Sequence, residues 1–406
     1  MQKLTHIGLL VDASRAYGRG ICRGVADFAE SRNDWVVLSH ERPELNEFPL
    51  WLRKSRVDGI IAYIPNQKLF RRIITLGIPA VDVHGRCGRS HLPVIETEAV
   101  SIARLAIEFF LKSGFEHLAY CGYPSVFFSD QREEAFLQQS ADATKSVHVF
   151  NPPAQHQVGA DLYQFEKGGT QDEKQLADWL GALPKPVGVM ACNDIRGQQV
   201  INACRELGIR VPEEVAVMGI DNDEIICRLC RPTLTSIEPD MEQIGRLAAQ
   251  LIATRLSGRK VDLNHQIPPR RIVERQSTDT LVAGQPAVEE AARLIRTRIS
   301  TGISVEQICE ALGTSRSTLD NLFLEFLGRT LAMEIKLVRL QYSQNFLLNS
   351  NLTLSQIARR CGFSSATYFC RFFKRETNRT PLSFRLSRPQ ATPKISARAK
   401  NAGSMS

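Results

Sequence analysis

The sequence predicts an α/β domain built as two doubly wound lobes, followed by an all-α domain with two helix-turn-helix units. Three observations carry this prediction. Strand and helix patterns alternate from residue 5 to about 260, the strand signals stop after PPRRIVERQSTD, and the helical region beyond contains one unit twice. At 406 residues the chain exceeds a single ordinary core, and 43% hydrophobic with 23% charged residues is an ordinary globular composition.

In the first part, THIGLLVD, VDGIIAYI, IPAVDVHG, LAYCGY, VGVMACND and VAVMGID are short apolar runs that read as buried parallel strands. GICRGVADFAESR, AVSIARLAIEFFLKSG, KQLADWLGAL, IRGQQVINACRELG and DMEQIGRLAAQLIATRLSG read as helices between them. Such alternation implies right-handed βαβ units and parallel sheet. About 260 residues is generous for one sheet, so two lobes around a cleft are expected. The polar, proline-containing STDTLVAGQPAVEEA sets the boundaries: a first domain over 1–276, a linker over 277–287 and a helical domain over 288–386. Residues 387–406 have few large apolar side chains and are expected to form a disordered, weakly basic tail.

Within the helical domain, SVEQICEALGTSRSTLDNLFLEF from Ser304 aligns with TLSQIARRCGFSSATYFCRFFKR from Thr353 at an offset of 49, defining units at about 304–325 and 353–375. Each has a short amphipathic helix, a glycine (Gly313, Gly362) suited to a left-handed turn, a capping hydroxyl and a second helix. Between them LAMEIKLVRLQYSQNFLLN reads as a connecting helix. Charge separates the domains: residues 1–284 hold 33 Lys and Arg against 35 Asp and Glu, and residues 285–406 hold 18 against 8. A bundle needs no ligand, but a basic domain with a duplicated helix-turn-helix is expected to bind double-stranded DNA. The start of each second helix faces base edges in such a motif. This selects Arg316, Ser317, Thr318 and Asn321 in the first unit and Ser365, Thr367, Tyr368 and Arg371 in the second, with Lys374 on phosphate.

In α/β sheets ligands meet the carboxyl ends of the strands. Asp221 follows VAVMGI, Asn193 and Asp194 follow VGVMAC, and Tyr17 lies after THIGLLVD. Each could equally cap a helix or shape a turn, and Asp223 and Glu224 are expected to start a helix. YGRGICRG contains GxGxxxG, but its first glycine lies six residues past the strand, outside the turn that a dinucleotide needs. The GxSxG elbow and the Walker A loop are absent, so no catalysis is expected. Cys227 and Cys230 lack a second ligand pair, so no metal and no cofactor is expected. MQKLTHIGLLVDAS lacks the long apolar stretch of a signal peptide, and a soluble, cytoplasmic protein without a membrane partner is expected.

IARRCGFSSATYFCRFFKRETNRTP resembles the C-terminal signature of the AraC/XylS family of bacterial transcription regulators, over about residues 287–386. MACND, PEEVAVMGIDNDE, LTSIEPDMEQIGRLAAQLI and VERQST resemble the sensor of LacI-type repressors and periplasmic sugar-binding proteins. The resemblance implies a periplasmic-binding-protein-like fold and a transcription regulator, an activator, whose effector is a sugar. D-xylose is the first expectation; a different sugar or small effector is the alternative. It implies Arg132 in SDQREEAF as a cleft residue beside Tyr17, Asn193, Asp194 and Asp221. It also implies a homodimer on direct half-sites, with RNA polymerase as a further partner.

Overall fold

The computed structural model describes residues 4–39, 56–87, 91–141, 144–151, 166, 173–279 and 285–386. The chain divides into two compact units, Met1–Val282 and Ala283–Ser406. The disorder expected over 387–406 falls outside the described residues.

The first unit contains two sheets, each of six strands among the described residues. In chain order the strands are β1 (Thr5–Leu10), β2 (Trp35–Ser39), β3 (Gly59–Ala62), β4 (Ala80–Asp82), β5 (Val94–Thr97), β6 (His117–Cys121), β7 (Ser146–Val149), β8 (Val187–Ala191), β9 (Val215–Ile220), β10 (Thr235–Glu238), β11 (Asn264–Ile267) and β12 (Arg271–Val273). One sheet runs β11-β5-β4-β3-β1-β2 and the other β12-β10-β9-β8-β6-β7. The pairings are parallel except β10 with β12. The helices are α1 (Ala16–Glu30), α2 (Gln67–Ile74), α3 (Ala99–Lys112), α4 (Phe127–Ser140), α5 (Glu173–Ala182), α6 (Asp194–Glu206), α7 (Glu224–Leu229) and α8 (Met241–Leu256).

The chain passes between the lobes three times, after β5, β10 and β11. Helix α3 therefore packs on the second sheet, with Ile102, Ala106 and Phe110 against Leu118, Met190 and Met218. Helix α8 returns to the first sheet, where Ile244, Ala248 and Ile252 meet Ile7, Ile21 and Ile61. The fold class and the two lobes are those expected.

The glycines of YGRGICRG have a packing cause. A Cβ on Gly24 would lie 2.0 Å from the Glu242 carbonyl oxygen, and one on Gly245 would lie 2.1 Å from that of Ile21. Helices α1 and α8 are thus in backbone contact, which no larger residue permits.

The linker expected from residue 277 begins later. Ser277 and Thr278 are 0% and 3% exposed, and the Ser277 hydroxyl donates to the Val217 carbonyl at 2.6 Å while accepting from the Thr235 amide at 2.8 Å. These bonds build the segment into the second sheet.

In the second unit α9 (Pro286–Thr297) precedes α10 (Val305–Leu312), α11 (Arg316–Leu327), α12 (Leu331–Asn349), α13 (Leu354–Arg360), α14 (Ala366–Thr377) and α15 (Pro381–Leu386). Ser304 and Thr353 form matching capping boxes with Gln307 and Gln356. Gly313 and Gly362 take φ of 59° and 70°. Beyond the glycine the 49-residue alignment needs correction. Ser315 caps α11 and Ser365 caps α14; Leu319 and Phe323 are buried as Phe369 and Phe373 are; Gly328 and Asn378 are both left-handed. The second turn is one residue longer, so the offset becomes 50 and Asn321 corresponds to Arg371. Helix α12, about 28 Å long at 1.5 Å per residue, is tied to α9 by Glu334, which accepts from Arg296 at 3.3 Å and Arg329 at 2.6 Å. Lys336 ties it to the second unit by pairing with Glu376 at 2.7 Å.

Gly24→Ala should lower the unfolding free energy of the first unit by about 1–3 kcal/mol through overpacking. All three tryptophans lie in that unit, so their fluorescence in a denaturant titration reads it alone. An unchanged midpoint would mean that α1 and α8 have room to part.

Candidate functional site

Tyr17, Arg132, Asn193, Asp194 and Asp221 all line one cavity of about 100 Å³ between the lobes of the first unit. That is room for one small polar molecule or a few waters. Each residue arrives from a strand end or a helix start: Tyr17 in the first turn of α1, Arg132 on α4, Asn193 and Asp194 at the start of α6, Asp221 after β9.

Arg132 is 5% exposed. Its Nη1 donates to the Cys192 carbonyl, Nη2 lies 3.8 Å from Asp221 Oδ1, and the guanidinium sits 5.1 Å from the centre of the Phe128 ring. Asp221 and Asn222 hold φ of 107° and 48°, a conformation that costs free energy for residues with a Cβ. The strain is held from β10: the Asp221 amide donates to the Ile237 carbonyl at 3.0 Å and the Asn222 amide to Ser236 Oγ at 3.0 Å. Asn193 caps α6, accepting from the Arg196 amide at 2.9 Å and donating to Glu166 at 3.2 Å. Both oxygens of Asp194 already accept internal bonds, from the Asp223 amide at 2.6 Å and from Ser236 Oγ at 2.6 Å.

Asp223 caps α7, and Glu224 is its first residue. The same carboxylate also reaches across to the first lobe, where Arg19 lies at 3.2 Å. Arg15 and Glu166 form a further ion pair at the cavity wall.

Several cavity residues escape the sequence reading: Arg15, Tyr63, His84, Glu96, Phe128 and Gln131. Tyr63 and His84 follow β3 and β4, so the strand-end rule that selects Asp221 would have found them. Their rings stack at 4.0 Å. Burial, and then Arg86, pulls His84 down to about 3, so it is neutral. Burial pushes the Tyr17 and Tyr63 phenols far up, which keeps both as hydroxyl donors. Burial, with the nearby Asp221 charge, pushes Asp194 up to about 8. Burial likewise pushes Asp221 up to about 6, opposed by Arg132. The cavity therefore offers carboxylates, an arginine, amides and aromatic faces together, the set that holds a polyhydroxylated molecule. Cys227 and Cys230 are buried in the core of the second lobe.

In the second unit, Arg316, Ser317, Thr318 and Asn321 on or at α11 are exposed, as are Ser365, Thr367, Tyr368, Arg371 and Lys374 at α14. Ser365 is engaged as the cap of α14, its Oγ accepting from the Tyr368 amide at 3.1 Å. Arg316 lies 3.5 Å from Asp320 and 4.0 Å from Glu306. Phe369, Phe372 and Phe373 are buried in the unit's second core cluster.

The model of the periplasmic binding protein-like domain matches residues 107–278, and that of the helix-turn-helix domain matches residues 308–387. The xylose operon regulatory protein of Escherichia coli (strain K12) is 30% identical over 94% of this chain and 97% of its own length. That of Haemophilus influenzae is 29% identical over 94% and 98%. A solved structure of the xylose-binding transcription activator xylR matches with a TM-score of 0.70 and 29% identity, over 96% of this chain and 100% of that one.

The raised carboxyls predict a pH dependence. Asp194 binds its proton more tightly folded than unfolded, where about 3.9 is usual. Its contribution to stability is complete below pH 4 and is lost as pH rises through about 8. Asp194→Asn should therefore flatten the decline of unfolding free energy between about pH 4 and 8 in denaturant titrations. A wild-type slope in that variant would contradict the assignment.

Proposed function

The chain belongs to the family of xylose operon regulatory proteins, DNA-binding transcription regulators, and on that premise we propose that a pentose, D-xylose first, binds between the lobes and controls promoter binding by the two helix-turn-helix units. The observation that carries this reading is the convergence of Arg132, Asn193, Asp221 and Tyr17 on one cavity between the lobes, in a chain whose second unit exposes the starts of two helix-turn-helix second helices. The protein is a regulator and not an enzyme, as its relatives are.

In this reading Asp221 and Glu96 accept from sugar hydroxyls, Arg132, Asn193 and Tyr17 donate to sugar oxygens, and Tyr63, His84 and Phe128 cover the C–H faces. Asp194 acts through the backbone it holds. Ionised carboxylates select hydroxyls because each hydroxyl gains a charge-assisted bond it keeps only in the correct stereochemistry. The sugar acts as a signal because its binding free energy differs between an open and a closed cleft.

On DNA, Arg316 reads guanine after exchanging Asp320 and Glu306 for the base, and Thr318 and Asn321 read beside it. Thr367, Tyr368 and Arg371 do the same in the second unit, while Ser317, Ser365 and Lys374 hold phosphates. The connecting helix, 19 residues and so about 28 Å long, is comparable in length to the roughly 34 Å turn of B-DNA. Pairing through the sensor gives a homodimer with four recognition helices on direct half-sites, placed to meet RNA polymerase. No helix among the described residues is long and apolar enough to cross a membrane, and we place the protein in the cytoplasm.

A thermal-shift screen of pentoses and hexoses on the full chain should show D-xylose raising the tryptophan-detected midpoint, with Asp221→Ala abolishing the rise. A midpoint that no pentose moves would remove the sugar reading. Arg316→Ala should cost about 1–3 kcal/mol at one base position, and Lys374→Ala should weaken all sequences alike with a shallower salt slope. Equal losses on every duplex from both variants would overturn the division between reading and holding.

A further inference from the structure

Among the contacts across the cleft, one gives a helix of the first lobe a cap that its own lobe does not supply. Helix α1 starts in the first lobe with Arg15 at its N-cap position; that side chain makes no capping bond, and the first turn carries no acidic residue. Such a start leaves amides unpaired and the positive end of the dipole uncompensated. The acceptor comes from the second lobe. Asp223 Oδ2 accepts from the Ala16 amide at 3.2 Å and from Arg19 Nη2 at 3.2 Å. Its other oxygen, Oδ1, accepts from the Ile225 and Ile226 amides at 3.1 and 3.5 Å, capping α7 in its own lobe. One carboxylate, in a residue 6% exposed, thus caps two helices on opposite sides of the cleft.

We propose that Asp223 is the positioning residue that couples sugar occupancy to lobe closure, by capping α1 across the cleft. The proposal rests on the sugar-site reading above and deepens it. Asp223 itself lines the cavity beside Asp221, and its amide donates to Asp194 Oδ2 at 2.6 Å. A sugar held at Asp221 and Arg132 fixes this short segment and with it the Asp223 carboxylate. Helix α1 has its cap only while the lobes are together, so opening returns the Ala16 amide and Arg19 to water. Closure is thereby favoured by a bond made far along the sequence from either lobe's own core, and Arg19 sets its direction through charge.

Two variants test it from opposite sides in the full chain. Asp223→Asn keeps an oxygen for α7, because asparagine caps as well as aspartate, but removes the charge that Arg19 meets. Arg19→Gln leaves α7 untouched. Both should weaken D-xylose binding about five- to tenfold by calorimetry, an effect of the size of a lost cap. Asp223→Asn should also speed amide hydrogen exchange in the first turn of α1 in the sugar-free chain, and Arg19→Gln, which leaves the Ala16 amide its acceptor, should do so less. The double variant should bind no worse than Asp223→Asn alone, because that variant already removes the Arg19 contact together with the α1 cap. Wild-type affinity in both variants, additive losses in the double variant, or losses that follow a lowered sugar-free unfolding midpoint would overturn the proposal. If the unaltered chain binds no pentose, the sugar reading fails alone, and the exchange rates of α1 still decide whether Asp223 caps it.

Discussion

Burying charge in the cleft is the constraint on which the sensor depends. The charged Arg132 and Asp221 and the carboxyl of Asp194 line the cavity, and each must recover the hydration it loses there. Arg132 does so with the Cys192 carbonyl, Asp221 and the face of Phe128. Asp194 does so with a backbone amide and a serine hydroxyl. Helices α1, α6 and α7 all begin at the cavity wall, so their positive ends face the carboxylates gathered there. The chain's three passes between lobes follow from the same need, since they bring strand ends from both sheets to one space.

Much of this arrangement is legible in the sequence because it obeys local rules. Apolar runs ending in Asp221 or in Asn193 and Asp194 mark strand ends, and in an α/β fold strand ends mark the cleft. The repeated cap, glycine and apolar spacing marks the two helix-turn-helix units just as directly. What stays hidden is pairing across the cleft. Nothing near Arg15 or Arg19 in the sequence points to Glu166 or Asp223, because those contacts exist only once two lobes meet. Edge strands are faint for another reason: in β2 and β11 no residue is fully buried, so their apolar signal is diluted. The extra residue in the second turn is visible only in which side chains cap and which are buried. The glycines of α1 mimic a nucleotide motif until α8 is seen to lie against them.

The second unit meets a different problem, holding two recognition helices at a fixed separation on a small core. It has two clusters, one around Leu319 and Phe323 and one around Phe369 and Phe373, and α12 runs between them. Glu334, 1% exposed and matched by two arginines, fixes one end of that helix. The Lys336–Glu376 pair fixes it to α14. A buried charge that would be costly alone thereby specifies geometry, and geometry decides which base steps the helices reach. The exposed faces differ in charge: Arg316 is shared with Asp320 and Glu306, whereas α14 exposes Arg371 and Lys374, with Arg375 paired to Glu376.

On the proposed function, one free energy links sugar in the cleft to DNA on the second unit. Calorimetric titration of D-xylose into the full chain, alone and saturated with its promoter duplex, measures that linkage directly. Coupling gives two different Kd values, whose ratio equals the factor by which sugar changes promoter affinity. The same Kd in both titrations would contradict it.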